Sequence, residues 1–253
     1  MIKIIYGKTA QDAGKNGADI ITALLKSKKN AVLGLATGSS PIGMYKELIA
    51  RCEAGEISFK DVKSVNLDEY VGLSPEHDQS YAYFMHDNLF NHVDIKEENT
   101  NLPSGLAKDP VAECARYDAV IASMGGVDIQ VLGIGNNGHI GFNEPSDVFS
   151  KGTGLVNLTD STIDANKRFF ASRDEDPTQA LSMGGGQIMN ADSILLLAMG
   201  KGKAEILEKS LFGDVTPQVP ASILQFFKGN VYVCADEEAL SVIMERHPEA
   251  VTK

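Results

Sequence analysis

The chain has 253 residues, 43% of them hydrophobic and 23% charged, and a formal net charge of −11. That apolar content excludes an intrinsically disordered chain, and no apolar run reaches the roughly 20 residues needed to cross a bilayer. No run of Lys or Arg is present to neutralise a duplex backbone, so neither a membrane nor nucleic acid is expected as a partner. One well-placed cation at a helix N-terminus can still hold a small phosphate against the global field. Met1–Gly7 lacks the basic leader and cleavage site of a signal peptide, and Cys52, Cys114 and Cys234 form no CxxC pair; the expected location is a reducing cytoplasm.

Strands and helices alternate along the whole chain. Residues 2–6 (IKIIY) read as a strand and Ala10 to Ser27 as an amphipathic helix through Ile20, Ile21, Leu24 and Leu25. AVLGLA (31–36) is a continuous apolar run, the mark of a strand covered on both faces. Pro41 to Cys52 reads as a helix with proline at its first position and Ser40 as a cap. Val62 to Leu67 is a short strand, and Ser80 to Val93 and Val111 to Met124 are helical. Asp128 to Ile134 and Ser193 to Met199 are buried strands; a helix over 201–211, a strand over 230–235 and a helix from Glu237 complete the order. This succession predicts one α/β domain over residues 1–253: a mostly parallel, doubly wound, Rossmann-like sheet with helices on both faces. Residues 145–177 have weak periodicity and many Gly, Ser, Thr and Asp, which marks a lid candidate.

Three polar clusters follow strand ends, where such sheets bind ligands. LATGSSPIG (35–43) carries a small turn into a helix N-terminus, an anion site or simply a capped turn; no Walker lysine follows it. NLDEYVGL (66–73) places Asp68 and Glu69 side by side, and strand alternation sends them to opposite faces, so one carboxylate serves as a base at most. GIGNNGHIGFNEP (133–145) surrounds His139 with glycines that let the backbone approach a ligand. Glu144 and Asn137 are near enough in sequence to partner that imidazole. Its GxGxxG at 133, 135 and 138 lies mid-chain and is weak as a dinucleotide fingerprint; no zinc spacing is present, so no metal is expected. Arg168 and Lys203 are candidate anion-binding cations, although either alone reads more readily as a solvated surface charge.

Taken together, segments 35–43, 66–73 and 138–145, with SYAYFMH (80–86) and RFF (168–170), resemble the signature segments of the glucosamine-6-phosphate deaminases, in order, over residues 2–235. The resemblance implies conversion of glucosamine 6-phosphate and water to fructose 6-phosphate and ammonia, in amino sugar catabolism, with no cofactor and no metal. It implies that His139 opens the pyranose ring with Glu144 and Asn137 orienting it, that Asp68 moves a proton between C2 and C1, and that Ser39, Ser40, Arg168 and Lys203 hold the phosphate. Many members carry Asp where this chain has Asn137, leaving Glu144 as the acidic partner of His139. The allosterically activated hexameric members carry basic residues at positions matching Gly154 and Val156; their absence argues against effector control and weakens the case for a hexamer, leaving monomer and homo-oligomer open. A 6-phosphogluconolactonase is the alternative enzyme, disfavoured by Glu69-Tyr70 where Glu-Arg is expected and by FNEP at 142–145. A silent sugar-phosphate sensor is the alternative of another class, disfavoured by the presence of Asp68 and His139.

Overall fold

The computed structural model describes residues 1–158 and 177–252. Eight strands form one sheet, in the order β11-β1-β10-β9-β6-β2-β3-β5, and every neighbouring pair is parallel. These are β1 (Ile2–Gly7), β2 (Val32–Leu35), β3 (Lys63–Asn66), β5 (Thr100–Asn101), β6 (Ile129–Gly133), β9 (Ser193–Ala198), β10 (Asn230–Asp236) and β11 (Val251–Thr252). All four residues of β2 are buried, as are the last five of β9, so both faces of the central strands are covered. One apolar core runs through the sheet, from Ile4 and Ile21 at one side to Val65 and Leu89 at the other.

Helix α1 (Ala10–Ser27) has the bounds expected from its periodicity. Its start is set by a reciprocal cap: Thr9 Oγ1 accepts from Asp12 N at 3.2 Å, and Asp12 Oδ2 accepts from Thr9 N at 2.9 Å. Helix α2 is Ile42–Glu53, α3 Tyr81–Asn88 and α4 Pro110–Ser123. The helix expected to reach Val93 stops at Asn88: Leu89 leaves helical geometry (φ −148, ψ −59) and a 3₁₀ turn over Phe90–His92 follows. Likewise Lys201–Lys203 is a 3₁₀ turn leading into the helix Ala204–Phe212, and the last helix begins at Ser241, not Glu237, because Asp236 Oδ1 first caps a turn at Ala239 N (2.8 Å).

A second sheet escapes the sequence reading. Strands β4 (Asp68–Tyr70), β8 (Gln179–Ser182) and β7 (Gly154–Asn157) pair antiparallel in the order β4-β8-β7. Part of the expected 145–177 loop is therefore strand β7; residues 159–176 of it lie outside the described residues. β7 is too short for its alternation to stand out locally, and only pairing with β8 defines it. No helix among the described residues is long and apolar enough to cross a membrane.

The chain order places the site. From β2 the chain steps outward through β3 to β5; from β6 it steps the other way through β9 and β10. β2 and β6 are neighbours, so the connections leaving their carboxyl ends diverge and open a crevice.

Candidate active site

A cavity of about 620 Å³ fills that crevice, walled by the turns after β2 and β6, by Asp68 and by Lys203. Tyr45 of α2, fully buried, donates to Ala36 O at 2.7 Å and accepts from Ala36 N at 3.3 Å. This pins the chain where β2 ends, so that Thr37, Gly38, Ser39 and Ser40 loop over the cavity. The expected Ser40 cap is corrected: Pro41 takes the cap position of α2 in αR geometry (φ −81, ψ −10), with no side-chain cap bond. A capping hydroxyl must come from the cap residue itself to reach the second or third helical amide. One residue too early, Ser40 instead turns its side chain toward the cavity and the end of β6.

Asp68 opens β4 and points into the cavity, 6% exposed. Burial, with a smaller contribution from Glu69, pushes its carboxyl up to about 8. Glu69, next along the strand, faces away. Its Oε1 accepts from Tyr70 N (2.8 Å) and Tyr81 N (2.9 Å) and its Oε2 from Ala82 N (2.9 Å), so it holds the first turn of α3. Burial raises the Glu69 carboxyl as well, and these three amides pull it back. The pair thus divides as strand alternation requires: one carboxylate in the site, one in the scaffold.

In the β6 turn, Asn137 Oδ1 accepts from His139 N (3.2 Å) and Asn137 Nδ2 donates to Glu144 Oε2 (2.6 Å). Glu144 Oε1 stands 3.3 Å from His139 Nδ1, an ion-pair distance without hydrogen-bond alignment. Asn137 therefore orients Glu144 and the turn, while of the two it is Glu144 that faces the imidazole. The ring lies on Gly135, where a Cβ would overlap it. Gly135→Ala is expected to displace the imidazole and lower kcat by about 10²-fold, since a misplacement near 1 Å costs that much. Steady-state kinetics would show it, with KM little changed because the anion turn is untouched.

Lys203 reaches across from the 3₁₀ turn after β9 and donates to Asn136 Oδ1 at 2.7 Å. Burial lowers its pKa. Arg168 lies outside the described residues. Among the described residues, no group of three His, Cys, Asp or Glu could hold a metal ion.

The family whose model matches residues 7–233 is that of the glucosamine-6-phosphate isomerases/6-phosphogluconolactonase. The chain belongs to this family. A glucosamine-6-phosphate deaminase of Lachnoclostridium phytofermentans is 54% identical over 236 residues, 93% of this chain and 100% of the relative. The solved structure of a monomeric glucosamine-6-phosphate deaminase has a TM-score of 0.90 at 42% identity, over 95% of this chain and 99% of that one. A 6-phosphogluconolactonase from Trypanosoma cruzi has a TM-score of 0.76 at 17% identity, over 95% and 96%, and shares the fold alone.

Thr37, Tyr81 and Phe142 are among the cavity residues that sequence reasoning gave no role. Tyr81 donates to the Tyr70 hydroxyl at 3.1 Å, and its ring stacks with Phe142 at 6.1 Å and 4°. Within SYAYFMH nothing separates Tyr81 from Tyr83, which is exposed. Glu69, by gripping the Tyr81 amide, decides which of the two enters the site.

Proposed function

We infer that this cavity deaminates glucosamine 6-phosphate through Asp68 and the His139–Glu144 pair. The chain is an enzyme that converts glucosamine 6-phosphate and water to fructose 6-phosphate and ammonia. The observation that carries the residue roles is the placing of a buried, proton-holding carboxylate in one cavity with an imidazole–carboxylate pair and an anion-binding turn. Ser39, Ser40 and the free amides of the β2 turn hold the phosphate, assisted by Lys203 and the positive end of α2. The phosphate is remote from C1 and C2, so its binding orients the reacting carbons without entering the chemistry.

His139 takes the proton of the anomeric hydroxyl and returns one to the ring oxygen, and the sugar opens to the aldehyde. Glu144 stabilises the imidazolium formed in between. Asp68, ionised, removes the C2 proton; the electron pair forms the C1–C2 double bond, and the aldehyde oxygen takes a proton from the substrate's own C2 ammonium, giving a neutral enolamine. Asp68 then delivers its proton to C1, leaving an iminium at C2. Water adds there and ammonia departs, which forms the ketone of fructose 6-phosphate. A base that must shed and regain one proton near neutral pH is served by a carboxyl held near 8.

The chain acts as a monomer in this reading. The solved relative at 42% identity is a monomeric deaminase, and β7 places no cation at Gly154 or Val156 for an effector anion.

Purified protein mixed with glucosamine 6-phosphate is expected to release ammonia and fructose 6-phosphate in equal amounts. In the free enzyme only the ionised fraction of Asp68 is productive, so kcat/KM falls about tenfold per pH unit below about 8. Bound substrate places its ammonium beside Asp68 and favours the carboxylate, so the acid limb of kcat lies at lower pH than that of kcat/KM. A kcat/KM flat from pH 6 to 9 would remove Asp68 as the base.

A further inference from the structure

The two proton-transfer groups arrive from separate elements: Asp68 from β4, and the His139–Glu144 loop from the end of β6. One segment touches both. Met183 N donates to Leu67 O at 2.8 Å, and Ser182 lies opposite Asp68 in the β4–β8 register. On its other side the same segment holds the loop: Ser182 Oγ accepts from Phe142 N at 3.0 Å, and Met183 O accepts from Asn143 Nδ2 at 2.8 Å. Ser182 is 2% exposed, so no bulk water replaces these bonds.

Gly141 is the point of closest approach. Its φ of 57° is the left-handed geometry that favours glycine, and a Cβ there would stand 3.1 Å from Ser182 Oγ and 3.6 Å from Asp68 Oδ2. The serine hydroxyl and the carboxylate therefore crowd one side of the same turn, two residues from His139 and three from Glu144. Among the described residues the Ser182 hydroxyl proton has only a long contact, to Met183 O at 3.5 Å, so the bond from Phe142 N is the one that fixes the side chain.

We propose that Ser182 is a positioning residue: its hydroxyl ties the Phe142 amide to the strand opposite Asp68 and so sets the His139–Glu144 pair at its working distance from the base. The proposal rests on the deaminase reading of the cavity. It assigns Ser182 an effect on the chemical step and none on phosphate anchoring, because Ser39, Ser40 and Lys203 stand on other elements.

The experiment compares Ser182→Ala, Ser182→Val and Ser182→Thr with the native chain in the ammonia-release assay, alongside amide exchange of Phe142 by NMR. Val and Thr add the same bulk and differ in the oxygen. Ala and Val are expected to lose kcat by roughly 10–100-fold with KM within about twofold, while Thr stays within about threefold of native. The Phe142 amide is expected to exchange slowly in the native chain and in Thr, and fast in Ala and Val. The proposal is overturned if Ala and Val keep native kcat, if Thr falls as far as Val, or if the loss lies in KM. Should Ala and Val fail to fold, the native chain and Thr decide: a fast-exchanging native Phe142 amide, or a Thr variant with kcat far below native, overturns it. A native chain that releases no ammonia would instead strike the deaminase reading, and the amide exchange would still report on the bond.

Discussion

Asp68→Asn is expected to abolish deamination and to make the protein more stable. The asparagine can neither take the C2 proton nor return it to C1, and loss of a proton-transfer group lowers turnover by about 10²–10⁴-fold. Because both transfers depend on the same atom, the upper end of that range is expected, together with loss of solvent-hydrogen incorporation at C1 of the product. The stability gain follows from linkage. Asp68 holds its proton to about 8 in the folded chain, against an ordinary carboxyl value of 3.8. A folded-state value above the unfolded one means stability that is complete below pH 4 and drains away as pH rises to about 8. Above that, keeping the buried group ionised costs on the order of a few kcal/mol, which the neutral amide does not incur. For a chain of this length the variant's Tm at pH 8 should exceed the native one by roughly 5–10 °C, and the gap should close by pH 4. Native-like turnover, or a Tm gap that does not narrow toward pH 4, would contradict the placing of this carboxyl as the buried base.

His139→Gln is expected to cut turnover of the cyclic sugar by about 10²–10⁴-fold while leaving the binding of an open-chain amino-alcohol phosphate within a few-fold of native. In the proposed mechanism the imidazole acts before the C2 proton moves, and its contacts are to Glu144 and Gly135. An analogue already open bypasses the step that His139 performs. Glu144→Gln should lower turnover less, because a glutamine oxygen still accepts from Asn137 Nδ2 but no longer offsets the charge on the imidazolium. The double variant should be little worse than His139→Gln alone, as expected for groups that act as one unit. Titration calorimetry with the open-chain analogue checks the first claim: if His139→Gln weakens the analogue as severely as turnover, the residue binds the sugar and does not open it.

The inner strands of the central sheet were legible in the sequence because they are covered on both faces; the two-residue edge strands β5 and β11 were not. AVLGLA is a continuous apolar run, SILLLAM is one after its first residue, and DIQVLGI is mostly apolar with Gln130 inside it; a parallel strand needs no partner-specific signal beyond that. α1 was legible to its last residue because the apolar stripe that sets it is local. The binding turns were also legible: glycine and small polar residues at a strand end carry their own backbone chemistry, and the segments matching the family lie within single turns. Even the split between Asp68 and Glu69 followed from alternation along one short strand.

Only the tertiary structure decided the rest. β4, β7 and β8 exist because they pair with each other; alone, GLVN or QALS has too few residues to show a period. Ser40 looked like a cap until Pro41 occupied that position. Asn137 was near enough in sequence to partner the His139 imidazole, yet its amide bonds the His139 backbone N–H and Glu144 instead. The task of Glu69, holding the Tyr81 amide across 12 residues, and the role proposed for Ser182 beside a carboxylate more than 100 positions away depend on long-range closure of the chain. Local pattern specifies which residues can do the chemistry; the distances among them are set by hydrogen bonds between segments that no local pattern encodes.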